Sequence, residues 1–194
     1  MPPIAIIDTN TLAAIGLKNI LQSVMPIIKV DIFGSIDELI SAGNEMYFHY
    51  FAAVSIVLDN RPFFTEKRRK TIVLTTSSDP NSQLSGFHCL CINKPENELI
   101  KSLLALEQAA HANGRNLPPA NKQTNDRKLS DREIEVLSLI VHGLINKEIA
   151  ERLNISLSTV ITHRRNIMEK LNAKSVSALT IYAVMHGYVD INNI

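Results

Sequence analysis

The chain has 194 residues, room for two modest domains, and its 20 basic and 19 acidic side chains leave a formal charge of only +1. Global charge therefore does not announce a polyanion binder, and no apolar run is long enough to span a bilayer. The start, MPPIAIID, lacks a basic flank and its apolar run stops at Asp8, so no signal peptide is read and a cytoplasmic location is expected.

Taken in chain order, the first half alternates two patterns. Residues Ile4–Asp8, Ile27–Phe33, Ala52–Asp59, Lys70–Thr76 and His88–Ile92 are short runs rich in Ile and Val. They read as strands covered on both faces, which implies a parallel sheet. Helical spacing separates several of them: Leu12, Ile15, Leu17, Leu21 and Val24 within Asn10–Val24, and Leu99, Leu103, Leu104 and Leu106 within Glu96–Ala110. Ser35 with Glu38 forms a capping box that starts Ile36–Met46. Strand alternating with helix predicts an open, doubly wound α/β domain over residues 1–110 with five parallel strands. In such folds functional groups gather at the carboxyl ends of the strands, where Asp8, Asp59, Thr75 and Lys94 are expected. Cys89 and Cys91 share one expected strand, and near neighbours in an extended strand rarely bridge, so both are read as reduced thiols. His88 alone is thin support for a metal there.

That constellation resembles the receiver domain of response regulators. IVLD ends at Asp59, VLTT contains Thr75, and NKP contains Lys94 followed by Pro95; IIDTNTLAAIGLKNIL resembles the family's first strand and helix. The resemblance implies a phosphoacceptor at Asp59, a Mg²⁺ held by Asp8 and Asp59, and a sensor histidine kinase as partner. Three departures point to a degenerate receiver. The acidic pair after the first strand is reduced to Asp8-Thr9, removing a hard oxygen donor that Mg²⁺ needs. Cys91 stands where the family carries a signalling aromatic. The 16 residues from Asp59 to Thr75 are too few for a normal third helix with its loops. A degenerate receiver requires no cofactor; phosphotransfer to Asp59 remains as an alternative.

From His111 to about Lys128 the chain reads HANGRNLPPANKQTNDRK. Polar residues replace apolar periodicity, and Pro118-Pro119 bars a continuous helix, so 111–127 reads as a linker. Beyond it, 128–194 reads as an all-α domain of four helices. Ser130 and Glu133 make a capping box, Ile134, Leu137, Val141 and Leu144 follow at helical spacing, and Gly143 suits the helix end. Asn146 is expected to cap KEIAERL, Asn154 to end it, and Ser156 to cap Leu157–Lys170. Two helices joined by so short a turn are a helix-turn-helix.

The third helix of this domain divides into faces at about 100° per residue. Val160, His163, Ile167 and Leu171 form the core seam, with His163 read as a packed residue. Ser158, Ile161, Thr162 and Arg165 lie opposite, and Arg164 falls on the flank, where a phosphate contact is more natural. Ser156, Ser158 and Thr159 crowd the helix N-terminus, whose amides and dipole suit a phosphate. From Ser156 to Lys174 four basic residues oppose one acid, a local charge of +3. The last helix, SVSALTIYAVMHGYV, starts at Ser175, stops at Gly187 and is apolar nearly all round. One side must cover the core. The other is read as an interface between two copies, or as a face docked on the N-terminal half.

The segment 129–171 resembles the LuxR-type helix-turn-helix family of bacterial transcription regulators. Leu129, Ser130, Arg132, Glu133, Glu135, Val136 and Leu137 match its first helix; Gly143, Asn146, Lys147, Glu148, Ile149, Ala150 and Leu153 match the second; Ile155, Ser156, Thr159, Val160, His163, Ile167, Lys170 and Leu171 match the third. The resemblance implies that Lys147 and Thr159 contact phosphates and that Ile161, Thr162 and Arg165 face bases. Position 161 is often basic in the family; Ile161 cannot donate to a base edge but can meet a thymine methyl. The expected function is sequence-specific, dimeric binding of double-stranded DNA in transcription regulation, independent of phosphorylation and without enzymatic activity. An alternative makes the first domain a protein-interaction adaptor tethered to promoters.

Overall fold

The computed structural model describes residues 3–43, 47–77, 84, 86–112, 116–118, 129–190 and 194, and the chain divides into two compact units. In the first, five strands form one parallel sheet: β1 Ile4–Ile7, β2 Val30–Phe33, β3 Tyr50–Ala53, β4 Thr71–Thr75 and β5 His88–Cys91, in the order β2-β1-β3-β4-β5. This is the doubly wound arrangement, whose strand order reverses beside β1. Every residue of β1 and of β4 is buried, as expected of strands with helices on both faces. Helix α1, Thr11–Val24, is capped by Asn10, whose side chain accepts the Ala13 N–H. Helix α2, Ile36–Ser41, is capped by Ser35. The expected extension of α2 to Met46 reaches residues outside those described. Helix α5 spans Glu96–Ala112.

The third strand and its connection to the fourth depart from the sequence reading. The run Ala52–Asp59 is not one strand. Strand β3 stops at Ala53, and Val54–Asp59 form helix α3, followed by α4, Arg61–Glu66, and a 3-10 turn over Arg68–Lys70. An apolar run of this length fits a buried strand or a buried helix equally well by periodicity. Val54, Ile56, Val57 and Leu58 are all buried, and the two polar residues, Ser55 and Asp59, stand four apart, a spacing that shares one face in a strand and in a helix alike. Because β3 begins earlier, at Tyr50, the connection to β4 has room for helices, and the expected loss of the third helix does not hold.

The first unit also extends further than composition implied. His111 and Ala112 belong to α5, and Leu117 is fully buried in the core of this unit. The Leu117 N–H donates to the Arg69 carbonyl at 2.9 Å, the Arg69 Nε–H returns a bond to the Leu117 carbonyl at 3.1 Å, and the His88 ring nitrogen lies 2.8 Å from the Pro118 carbonyl. Of the segment read as linker, residues 113–115 and 119–127 lie outside those described.

At the amino end of β3, His49 is 4% exposed, and its Nε2 has no hydrogen-bond partner among the described residues. Burial is the main cause of a pKa lowered from 6.5 to about 4, with the nearby Lys70, His88 and His111 acting in the same direction and the Lys70 carbonyl against it. The unfolded chain therefore binds a proton that the folded one refuses between these values. Stability from this residue is complete above pH 6.5 and drains away as pH falls toward 4. Urea unfolding of the α/β unit across that window should show the loss, and His49→Gln should flatten it. An unchanged pH slope in the variant would contradict this account.

The second unit holds four helices: α6 Asp131–Val141, α7 Asn146–Leu153, α8 Leu157–Lys170 and α9 Val176–Met185. Its core is built from Ile134, Val136, Leu137, Ile149, Val160, Ile167, Leu179 and Ala183. The capping box at Ser130 and Glu133 is present in both directions. Asn146 is the first helical residue of α7 rather than its cap; the Ile145 N–H is satisfied instead by Glu148 Oε2 at 2.8 Å. Asn154 ends α7 in the left-handed region at φ 51°, which turns the chain sharply into α8.

Candidate nucleic-acid interface

Helix α8 presents the faces that its spacing predicts. Val160 and Ile167 are completely buried, His163 and Leu171 are half-buried, and Ser158, Ile161, Thr162 and Arg165 are exposed, with Ile161 at 51%. Arg164 lies half-buried on the flank, and Lys147 is exposed on the first turn of α7. Every residue expected to meet DNA except Arg164 and Thr159 is exposed, and those two are half-buried.

The N-terminus of α8 carries a hydroxyl cluster. Ser156 Oγ accepts the Thr159 N–H at 3.1 Å and lies 2.8 Å from Ser158 Oγ and 2.7 Å from Thr159 Oγ1. The cluster sits where the first-turn amides of Leu157 and Ser158 have no intrahelical acceptor and the helix dipole is positive, so the end suits a phosphate oxygen. One turn on, the Thr162 hydroxyl donates to the Ser158 carbonyl at 3.0 Å. Its proton is committed. What Thr162 offers outward is a lone pair and a methyl group, which suit a base amino group or a thymine methyl. Arg165 supplies the donor fork that this face otherwise lacks.

Two contacts that the sequence reading did not identify hold the helices together. Arg132 bonds Glu135 Oε2 through Nη1 and the Leu153 carbonyl through Nη2, each at 2.6 Å, so α6 grips the end of α7. Lys170 Nζ lies 2.7 Å from Glu133 Oε2. Burial would raise the Glu133 carboxyl, but the Lys170 hydrogen bond, the Ser130 N–H and hydroxyl and the Lys170 charge outweigh it, leaving the pKa below the usual 4.5. Local spacing gives no sign of a partner 37 positions away.

The receiver-like residues fare differently. Asp8 follows β1, is 8% exposed, and accepts the Asn10 N–H at 2.8 Å. Thr75 ends β4 at 3% exposure, and Lys94 follows β5, half-buried, on the same sheet edge. Asp59 does not join them at a strand end. It is the exposed last residue of α3, six residues beyond Ala53, and about 8 Å along the helix from Val54 at 1.5 Å per residue. The register pairs Ile7 with Ala52 and Ala53 with Leu74, so Ala53 stands on β3 where an acidic residue was expected. At this corner Asp8 brings a carboxylate and Ala53 brings none, and among the described residues there is no group of three or more His, Cys, Asp or Glu side chains that could hold a metal. Cys91 is buried on β5, and Cys89 Sγ, still a thiol, lies 3.8 Å from the Leu84 carbonyl.

A receiver-like α/β unit followed by a four-helix unit with a helix-turn-helix defines a two-domain architecture. RcsB from Salmonella enterica serovar Typhimurium, solved on promoter P1flhDC with the phosphomimetic BeF3−, has the same fold: TM-score 0.64 at 21% identity, over 93% of this chain and 97% of that one. A structure of two RcsB dimers bound to two parallel DNAs matches equally, at TM-score 0.64 and 21% identity over the same shares. Residues 127–183 match the family described as bacterial regulatory proteins, luxR family, and the helical unit carries a luxR-family helix-turn-helix domain. The oxygen regulatory protein NreC of Staphylococcus carnosus (strain TM300) is 51% identical over 69 residues, 34% of this chain and 32% of that protein. The transcriptional regulatory protein MctR of Rhizobium johnstonii is 48% identical over 62 residues, 32% of this chain and 29% of that protein. The chain thus spans about a third of the length of these curated relatives. No described helix is long and apolar enough to cross a membrane.

Proposed function

We propose that this chain is a sequence-specific, dimeric DNA-binding regulator of transcription whose N-terminal domain acts without phosphoryl transfer. The observation that carries DNA binding is the exposed face of α8, where Ile161, Thr162 and Arg165 stand together opposite the buried Val160 and Ile167, beneath a hydroxyl cluster at the helix start. The relatives NreC and MctR, named as regulatory proteins, support it. In this reading Lys147, Ser156, Ser158, Thr159 and Arg164 hold phosphates, and Ile161, Thr162 and Arg165 face base edges. Selection of bound duplexes from a random-sequence pool by the full chain tests it. Enrichment of one motif is expected; recovery of unenriched sequence would sink base reading.

Pairing through α9 is supported by Ile181 and Met185, one turn apart on one face and 62% and 73% exposed. Exposed apolar side chains grouped on so small a unit favour a second copy as cover. Ile181→Asp should lower occupancy of a two-half-site duplex far more than of a single half-site, because it removes the pairing energy and leaves α8 intact. Equal loss on both duplexes would remove α9 from the interface.

Independence from phosphoryl transfer is supported by Ala53 at the end of β3 and by the position of Asp59 in α3. Transfer to a carboxylate needs a divalent cation to neutralise the moving oxygens, and the cation needs acidic ligands. Acetyl phosphate with Mg²⁺ should therefore leave DNA affinity and dimerisation unchanged, and Asp59→Asn should match the wild type. A phosphodonor-dependent gain that Asp59→Asn abolishes would restore phosphotransfer from a histidine kinase.

A further inference from the structure

The Glu133 side chain is 3% exposed, and one of its oxygens, Oε2, collects three donors: the Ser130 N–H at 2.7 Å, the Ser130 hydroxyl at 2.9 Å and Lys170 Nζ at 2.7 Å. Lys170 is the last residue of α8, and its side chain is 42% exposed, so the ammonium descends from the surface onto a buried carboxylate. The wholly buried residues of α8 are Val160 and Ile167. Seven residues apart, they lie nearly on one line along the helix. Apolar packing on such a line sets the helix distance but resists rolling weakly, because burial is not directional. A charge-assisted hydrogen bond is directional. At 100° per residue Lys170 stands about 80° around the helix from Val160, off the seam, where it has leverage against roll.

Resting on the DNA-binding reading above, we propose that Glu133 and Lys170 are positioning residues: their pair sets the roll of α8 and so aims Arg165, Thr162 and Ile161 at the base edges. The geometry makes small rolls matter. At a helix radius of about 6 Å, a roll of about 15° displaces the opposite face by roughly 1.5 Å. A bidentate contact tolerates about 0.5 Å.

The test uses the full chain, the duplex that the wild type selects, and an unrelated duplex of equal length. Affinity for each is measured across a salt series, with circular dichroism and thermal melting to confirm folding. Lys170→Met strands a buried carboxylate and risks unfolding, so the deciding variant is the double Glu133→Gln with Lys170→Met, which removes both charges and leaves the net charge unchanged. The double variant should lose about tenfold in the ratio of selected to unrelated affinity, with the unrelated affinity and salt slope intact. Lys170→Arg, which keeps the charge and donor, should retain most of the ratio. A folded double variant with the wild-type ratio overturns the proposal. So does equal loss on both duplexes in Lys170→Met with Glu133→Gln unaffected, since Lys170 would then be a phosphate contact. Failure of the wild type to prefer any duplex would instead refute DNA reading itself, before any variant is compared.

Discussion

Ile167→Ala should destabilise the helical unit by about 2–5 kcal/mol, the range for removing a large buried aliphatic side chain and leaving a cavity. Ile167 is wholly buried on the seam of α8. A domain of this size buries proportionally little surface and has little stability in reserve, so the loss is a large fraction of its total. The sharpest comparison is Ile161→Ala, the same substitution six residues earlier in the same helix, where the side chain is 51% exposed. That change should alter stability by no more than about 0.5 kcal/mol. Denaturant unfolding followed by helical signal separates the two. DNA binding should respond in both, but for different reasons: Ile167→Ala lowers the folded fraction, whereas Ile161→Ala removes an apolar contact from a folded protein. Similar stability losses would mean that the assigned faces of α8 are wrong.

Arg165→Ala should weaken binding to the selected duplex by about 1–3 kcal/mol and broaden the sequences accepted, with little change on unrelated DNA. The reason is the chemistry of the exposed face. Of the three residues proposed to face bases, Ile161 cannot donate and the Thr162 proton is already given to the Ser158 carbonyl, so the guanidinium of Arg165 is the donor set left among them to read an acceptor edge such as guanine. Lys147→Ala provides the contrast. Lys147 is exposed on the first turn of α7, and if its ammonium meets a phosphate as proposed, both duplexes should weaken alike and the salt slope should drop by about one. Equal loss on both duplexes for Arg165→Ala would make it a backbone contact and leave the protein reading sequence by shape or by apolar contact alone.

The helical unit is legible in the order of its residues almost from end to end. Its helix starts are written locally, in Ser130 with Glu133, in Ser156 and in Ser175, and the seam of α8 appears in the helical spacing of Val160 and Ile167, whereas α6 is buried all round from Glu133 to Val141 and the stripe of Ile134, Leu137 and Val141 marks only part of its core. Capping and periodicity act over a few positions, so a linear reading recovers them. The exposed face of α8 follows as the complement of the seam. Asn146 is the exception within the same logic, because Glu148 meets the Ile145 amide and moves the helix start back by one position. In the α/β unit the alternation of strands and helices is equally legible.

The residues that this sheet presents at its edge depend instead on pairing between distant segments. The polar residues of Val54–Asp59 are Ser55 and Asp59, and their spacing of four fits one face of a strand or of a helix, so it does not say whether the segment is the tail of a buried strand or a buried helix. Pairing of Tyr50–Ala53 between β1 and β4 settles it, and that register places Ala53 rather than Asp59 at the sheet edge beside Asp8. The extent of the first unit is likewise hidden from a linear reading, since Leu117 is held in the core through Arg69, 48 positions earlier. Lys170 and Glu133 meet across 37 positions for the same reason. Contacts between residues far apart in the chain depend on how whole elements pack. No local pattern of residue types encodes them.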